Sequence, residues 1–204
     1  MIGRVYIWVS REEGMRLHLN LLALITASII INAGATDHSQ RAEDQLQRLV
    51  ETSAERLAIA EQVALAKWDS GAPVEDEARE AQVISGAVKL GEARGLKSDE
   101  VAQFFRAQIE ANKLVQYSLL ADWRRIGKAP EHQPVSLASI RPKLDQLELE
   151  MIDELSGAAT IRANPSCNSY IARAVGKYVS AHKDQIGSLK AVALDRALAA
   201  TCSA

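Results

Sequence analysis

Arg56 and Lys67 stand on a face that otherwise reads as protein interior. The ladder Leu49, Ser53, Arg56, Ala60, Val63, Lys67 climbs in steps of four, three, four, three and four, which is one side of an α-helix. Eleven residues return almost to the same angle, so the two cations lie about 16 Å apart along the axis. Two long side chains at that spacing can converge on one anion held between them. They can also snorkel outward at the stripe's edge, and one helix alone does not choose between these.

Three further groups have types suited to the same task. Asp76 and Arg79 form an i,i+3 pair whose ordinary reading is a surface ion pair. Asn112 and Gln116, at i,i+4, are in phase with Phe105, Ile109 and Trp123; their ordinary reading is a satisfied polar pair at a helix interface. Arg141 falls near the start of a helix, where a cation opposes the dipole. Cations with neutral amide donors suit binding of a small polyanion and stabilisation of negative charge on oxygen, without a nucleophile. Other chemistries lack their residues. There is no GxGxxG, P-loop, G-x-S-x-G or CxxC, and the four histidines at 18, 38, 132 and 182 include no i,i+4 pair, so no metal site is expected.

The elements that must position these residues are helical. The chain has 204 residues, with only 4% aromatics, 5 Pro and 11 Gly, and is rich in good helix formers. A single domain is expected. Lys and Arg total 24 against 26 Asp and Glu, which excludes a generally basic nucleic-acid binder. Residues 37–68 contain no Gly or Pro and predict one long amphipathic helix. Ser70-Gly71-Ala72-Pro73 ends it. A second helix runs from about Glu75 to Arg94-Gly95, and a third from Ser98 or Asp99 to about Arg125. A fourth covers about Ala138 to Leu155, with Pro142 in its first turn. Asn164-Pro165-Ser166 opens a fifth, and residues 184–187 separate it from a sixth. The expectation is an all-α domain of about six helices, the first one long, over residues 36–204.

The N-terminus reads as an address. Leu19–Ile31 is apolar apart from Asn20, Thr26 and Ser28, Arg16 precedes it, and Ala33-Gly34-Ala35 follows. That is a secretory signal peptide over residues 1–35, cleaved after Ala35. An uncleaved anchor is the alternative, although the apolar run is short for a membrane span. Met15 stands where such a signal would begin, so residues 1–14 are expected to be an upstream extension. In an exported chain the two cysteines, Cys167 and Cys202, are expected to pair; two buried thiols are the alternative. In an antiparallel hairpin of helices five and six those ends meet. Closing a loop of that length is worth roughly 3–4 kcal/mol in the chain-entropy model.

Residues 46–123 resemble the all-helical chorismate mutases, specifically their exported (gamma) subclass. The carrying segments are LVETSAERLAIAEQVALAKW (49–68), PVEDEARE (73–80) and FFRAQIEANKLVQYSLLADW (104–123). The ordered set Arg56, Lys67, Asp76 and Arg79 matches the family's pattern, and Arg141 and the cysteine pair anchor the weaker C-terminal half. The resemblance implies a Claisen rearrangement of chorismate to prephenate, with no cofactor, metal or covalent intermediate. It implies that Arg56, Arg79 and Arg141 engage the substrate carboxylates, with Asn112 in that part of the site. Lys67 and Gln116 would donate to the ether oxygen, and Asp76 would accept from the substrate hydroxyl. Lys113 would touch the rim. Some relatives carry Gln where Val83 stands here, beside Gln82. Gln116 takes a place that is Glu in others, so turnover should vary little between about pH 5 and 8. A homodimer with one pocket per chain, in the periplasm or secreted, is the implied setting, with no nucleic-acid partner and no membrane after signal cleavage. The competing reading is a non-catalytic exported helical binding or interaction protein.

Overall fold

The structure is a computed structural model and describes residues 40–41 and 43–203. The expectations for the signal peptide, its cleavage after Ala35 and the start at Met15 fall outside these residues.

Helix α1 (43–58) runs into α2 (Ala60–Ser70) with a break at Ile59 alone. The backbone ladder spans that break, with Ile59 N–H donating to Glu55 O at 3.3 Å and Val63 N–H to Ile59 O at 3.0 Å. The long first rod is therefore present, with one interruption that no Gly or Pro announces. Gly71, at φ +69°, ends it in the left-handed conformation that glycine adopts at no steric cost.

Helix α3 (Glu77–Glu92) is capped by Asp76, whose carboxylate accepts from Arg79 N–H. Helix α4 (Ser98–Ile126) is the longest element. Gly91 lets α3 lie close against it. A Cβ there would come within 2.7 Å of a Val101 methyl, closer than side chains pack. Helix α5 (Leu137–Gly157) is capped by Ser136. Pro142 is its sixth residue rather than part of its first turn, so the Ala138 carbonyl loses its usual i+4 donor. A one-turn α6 (Ala159–Arg162), not anticipated, links α5 to the hairpin α7 (Cys167–Ala181) and α8 (Ser188–Leu198).

Helix α4 is the axis, packing against α2, α3 and α8, while α5 covers α2 and α3. The core is built from the inward stripes: Leu46, Leu49, Val50 and Leu57 of α1, Phe104 and Phe105 of α4, Met151, Ile152 and Leu155 of α5, and Leu194 and Leu198 of α8. Burial of such side chains is worth about 1.5–3 kcal/mol each. Gln108, fully buried, joins three elements by donating to Ser53 Oγ at 2.9 Å and to Ala197 O at 3.2 Å. The C-terminal end is tied twice. Cys167 and Cys202 form a disulfide 35 residues apart in sequence. Buried Arg162 donates to Thr201 O and Leu155 O and pairs with Glu100. Among the described residues no helix is long and apolar enough to cross a membrane.

Glu154 is the weak point of this framework. Its Oε1 accepts from Thr52 Oγ1 at 2.8 Å, but its buried Oε2 has no partner. Burial pushes the carboxyl up to about 7, against the Thr52 hydrogen bond. The folded protein therefore holds this proton between about pH 4.5 and 7, where the unfolded chain does not, and stability falls as pH rises through that window. Glu154→Gln, neutral at every pH, is expected to be more stable than the parent at pH 8 by about 1 kcal/mol after discounting for partial exposure. That corresponds to a rise of about 2–4 °C in Tm. The advantage should vanish near pH 5. Thermal denaturation at the two pH values checks it, and a pH-independent difference would refute it.

Candidate active site

A cavity of about 140 Å³ opens between α1, α2, α3, α4 and α5. Arg56, Lys67, Asp76, Arg79, Asn112, Gln116 and Arg141 all line it, together with Lys113 and Val83. Arg56 and Lys67 are only 7% and 8% exposed, so of the two outcomes left open by helical spacing, the inward one holds. Val63, Ile109, Leu137, Ile140 and Leu144 supply the apolar wall. Neither Cys167 nor Cys202 is part of this lining.

The polar side chains are ordered by one another. Asn112 Nδ2 donates to the Arg56 carbonyl at 3.2 Å. A carbonyl can only accept, so Asn112 must present Oδ1 to its other neighbour, and Gln116 Nε2 donates to it at 2.7 Å. The Gln116 amide orientation is thereby fixed, and its second N–H is available to a ligand. Lys67 Nζ donates to Val74 O at 2.7 Å, leaving two of its three donors for the cavity. Arg79 contributes its backbone N–H to Asp76 and its guanidinium to Asp145 at 3.4 Å. Asp76 and Arg79 are thus joined through a helix cap rather than as a side-chain ion pair. Glu80 reaches back to the Asp76 N–H at 3.4 Å and secures the same turn.

Desolvation marks the two inward cations. Burial lowers the Arg56 pKa to about 10, with Glu148 opposing. Arg56 Nε is buried without a hydrogen-bond partner, as is Gln116 Oε1. Burial also lowers Lys67, while Asp76, Glu80 and Glu75 favour its charged form and Lys113 opposes it. Glu148 is raised by its own burial, against the pull of Arg56 and Arg79. A cavity lined by two desolvated cations, one with an unpartnered Nε, and by a free amide N–H is prepared for an anionic ligand.

Sequence reasoning missed the carboxylates here. Glu80, Asp145 and Glu148 all line the cavity. Asp145 and Glu148 lie four and seven residues after Arg141, on the same helical face. That spacing was the available signal. Lys113 also differs from a simple rim residue, because its ammonium meets Glu75, Glu80 and Glu110 at 2.7, 3.2 and 2.7 Å.

Residues 44–117 match the family described as chorismate mutase type II. A protein of Mycobacterium tuberculosis named secreted chorismate mutase is 32% identical over 146 residues, covering 70% of this chain and 72% of that one. Among solved structures, the chorismate mutase from Burkholderia phymatum is 42% identical with a TM-score of 0.75, covering 80% of this chain and 99% of that chain. That from Burkholderia thailandensis is 35% identical with a TM-score of 0.73, covering 78% and 99%.

Proposed function

We propose that this chain, which belongs to the type II chorismate mutase family, converts chorismate to prephenate in the cavity between α1 and α5. The observation that carries the reading is the turning of buried Arg56 and Lys67 into one cavity shared with Arg79, Arg141, Asn112 and Gln116. The rearrangement is unimolecular and pericyclic. A bond from carbon to the ether oxygen breaks as a carbon–carbon bond forms, and no proton or electron is exchanged with the protein. Two contributions then remain for side chains: holding the substrate in its reactive fold, and meeting the charge that grows on the ether oxygen.

In this reading Arg56, Arg79 and Arg141 bind the two carboxylates, where a guanidinium can offer paired N–H donors. Asn112 lies beside that subsite and keeps Gln116 in its donating orientation. Lys67 Nζ and the second Gln116 N–H face the ether oxygen. Asp76 accepts from the substrate hydroxyl with the oxygen that the α3 cap leaves over. Val83 presents only apolar surface to the substrate. The mature protein acts outside the cytoplasm, as the mycobacterial relative's name states for that protein, with residues 1–35 as the export signal. The resemblance to the exported subclass implies that it works as a homodimer in which each protomer holds its own cavity.

Purified protein is expected to deplete chorismate absorbance and yield prephenate at a rate far above the spontaneous one. Absence of that acceleration would leave a helical binding protein. Gln116 carries no titrating proton, and Asp76, Glu80 and Glu75 favour charged Lys67 against its burial, so kcat is expected to vary less than about twofold between pH 5 and 8. Glu148 faces Arg56 rather than those donors. Its protonation as pH falls removes a negative charge beside the carboxylate subsite, so KM is expected to fall on the acid side. Glu148→Gln should flatten that trend. A steep single ionisation in kcat within this range would contradict the assignment of donors.

A further inference from the structure

Lys113 lines the cavity yet cannot serve the substrate as Lys67 does. Its ammonium donates to Glu75 and Glu80 and makes an ion pair with Glu110 at 2.7 Å, so its charge is already engaged by three carboxylates. These carboxylates come from three places. Glu110 is on α4 with Lys113, Glu80 is in the first turn of α3, and Glu75 is in the connection 71–76 between α2 and α3. Glu75 is held a second time by the Tyr117 hydroxyl at 2.7 Å. The same connection carries Val74, whose carbonyl accepts from Lys67 Nζ, and ends at Asp76. The connection is exposed at Gly71, Pro73 and Glu75; Val74 packs with Ala64, Leu65, Leu120 and Trp123, and the contacts of Glu75 and Glu80 with Lys113 fasten the end that leads into α3.

We infer that Lys113 is a positioning residue: by gathering Glu75, Glu80 and Glu110 onto one ammonium it fastens the 71–76 connection to α4, and through the Val74 carbonyl it aims Lys67 into the cavity. Without the ammonium, the three carboxylates lose their shared partner and repel one another, so the Val74 carbonyl is aimed less firmly while the uncompensated negative charge stays near Lys67. The consequence for Lys67 is also electrostatic. Glu75, Glu80 and Asp76 favour its charged form and Lys113 disfavours it, while Lys113 itself is held charged by its three partners against the cost of its own burial. The two ends of the Lys113–Glu75 contact therefore act on Lys67 with opposite sign.

This inference rests on the mutase reading for its kinetic consequence, but its test includes a readout that needs no turnover. Lys113→Met is expected to lower kcat by about 10- to 100-fold, the scale of a small misplacement at a reacting centre, with KM within about threefold of the parent. Lys113→Arg should restore part of kcat. In parallel, the titration of Lys67, followed by the NMR shift of its Cε, should move to higher pH in Lys113→Met and to lower pH in Glu75→Gln. Glu75 is exposed, so the second variant reports even where the first folds poorly. Lys67 titrations that do not move, or that move the same way in both variants, would overturn the inference, as would an undiminished kcat in Lys113→Met. Failure of the parent to turn over chorismate would instead count against the mutase reading alone.

Discussion

Lys67→Ala is expected to reduce kcat by about 10²- to 10³-fold, the loss typical of removing one preorganised donor to a developing oxyanion. The effect should fall on kcat more than on KM, because the ether oxygen is weakly basic in the substrate and gains charge only as its bond to carbon breaks. The structure gives three reasons to expect so large an effect. Lys67 is 8% exposed, so water does not replace the lost ammonium readily. Its Nζ is held by Val74 O, so its direction is fixed before substrate arrives. The wall around it is apolar at Val63 and Ile109, and charge is worth more there than in water. Steady-state kinetics with circular dichroism as a control for folding make the comparison. A variant retaining more than a tenth of the parent rate would remove Lys67 from the ether-oxygen subsite.

Helical periodicity made much of this legible. The stripe on residues 49–67 identified a face, and the eleven-residue step between Arg56 and Lys67 put both on it. Periodicity carries no information about the element opposite, which is why one helix could not decide between cavity and surface. That required α4 and α5, brought over α2 by contacts distant in sequence. The break at Ile59 left no mark because its cause is not a local breaker. Glu80, Asp145 and Glu148 were passed over because carboxylates on helices ordinarily face water, and only the packing of α5 across α3 turns the last two toward Arg56 and Arg79. The short α6 was hidden because four residues hold too little pattern to detect. The hairpin carrying Cys167 and Cys202 was easier, since two helices separated by a short loop return the chain on itself.

Arg56→Met is expected to separate activity from stability in opposite directions. The Arg56 guanidinium is buried, its Nε makes no hydrogen bond within the protein, and desolvation depresses its pKa. A buried charge so poorly satisfied costs free energy. Met has similar reach and flexibility and fills the space without that cost. The Asn112 contact is to the Arg56 backbone carbonyl, so the Asn112–Gln116 order survives the substitution. The variant is therefore expected to melt about 2–4 °C above the parent, corresponding to about 1 kcal/mol. Its kcat/KM should fall by about 10²-fold or more, because a substrate carboxylate would enter a desolvated site with its charged partner gone. Glu148 would lose the same partner, so Arg56→Met combined with Glu148→Gln should gain further stability. A melting temperature below the parent's would mean that the guanidinium supports the fold. Retention of most of kcat/KM would mean that the carboxylates are held elsewhere. The expected combination, a firmer protein that no longer works, is the signature of strain kept in the free protein and relieved when an anionic substrate binds.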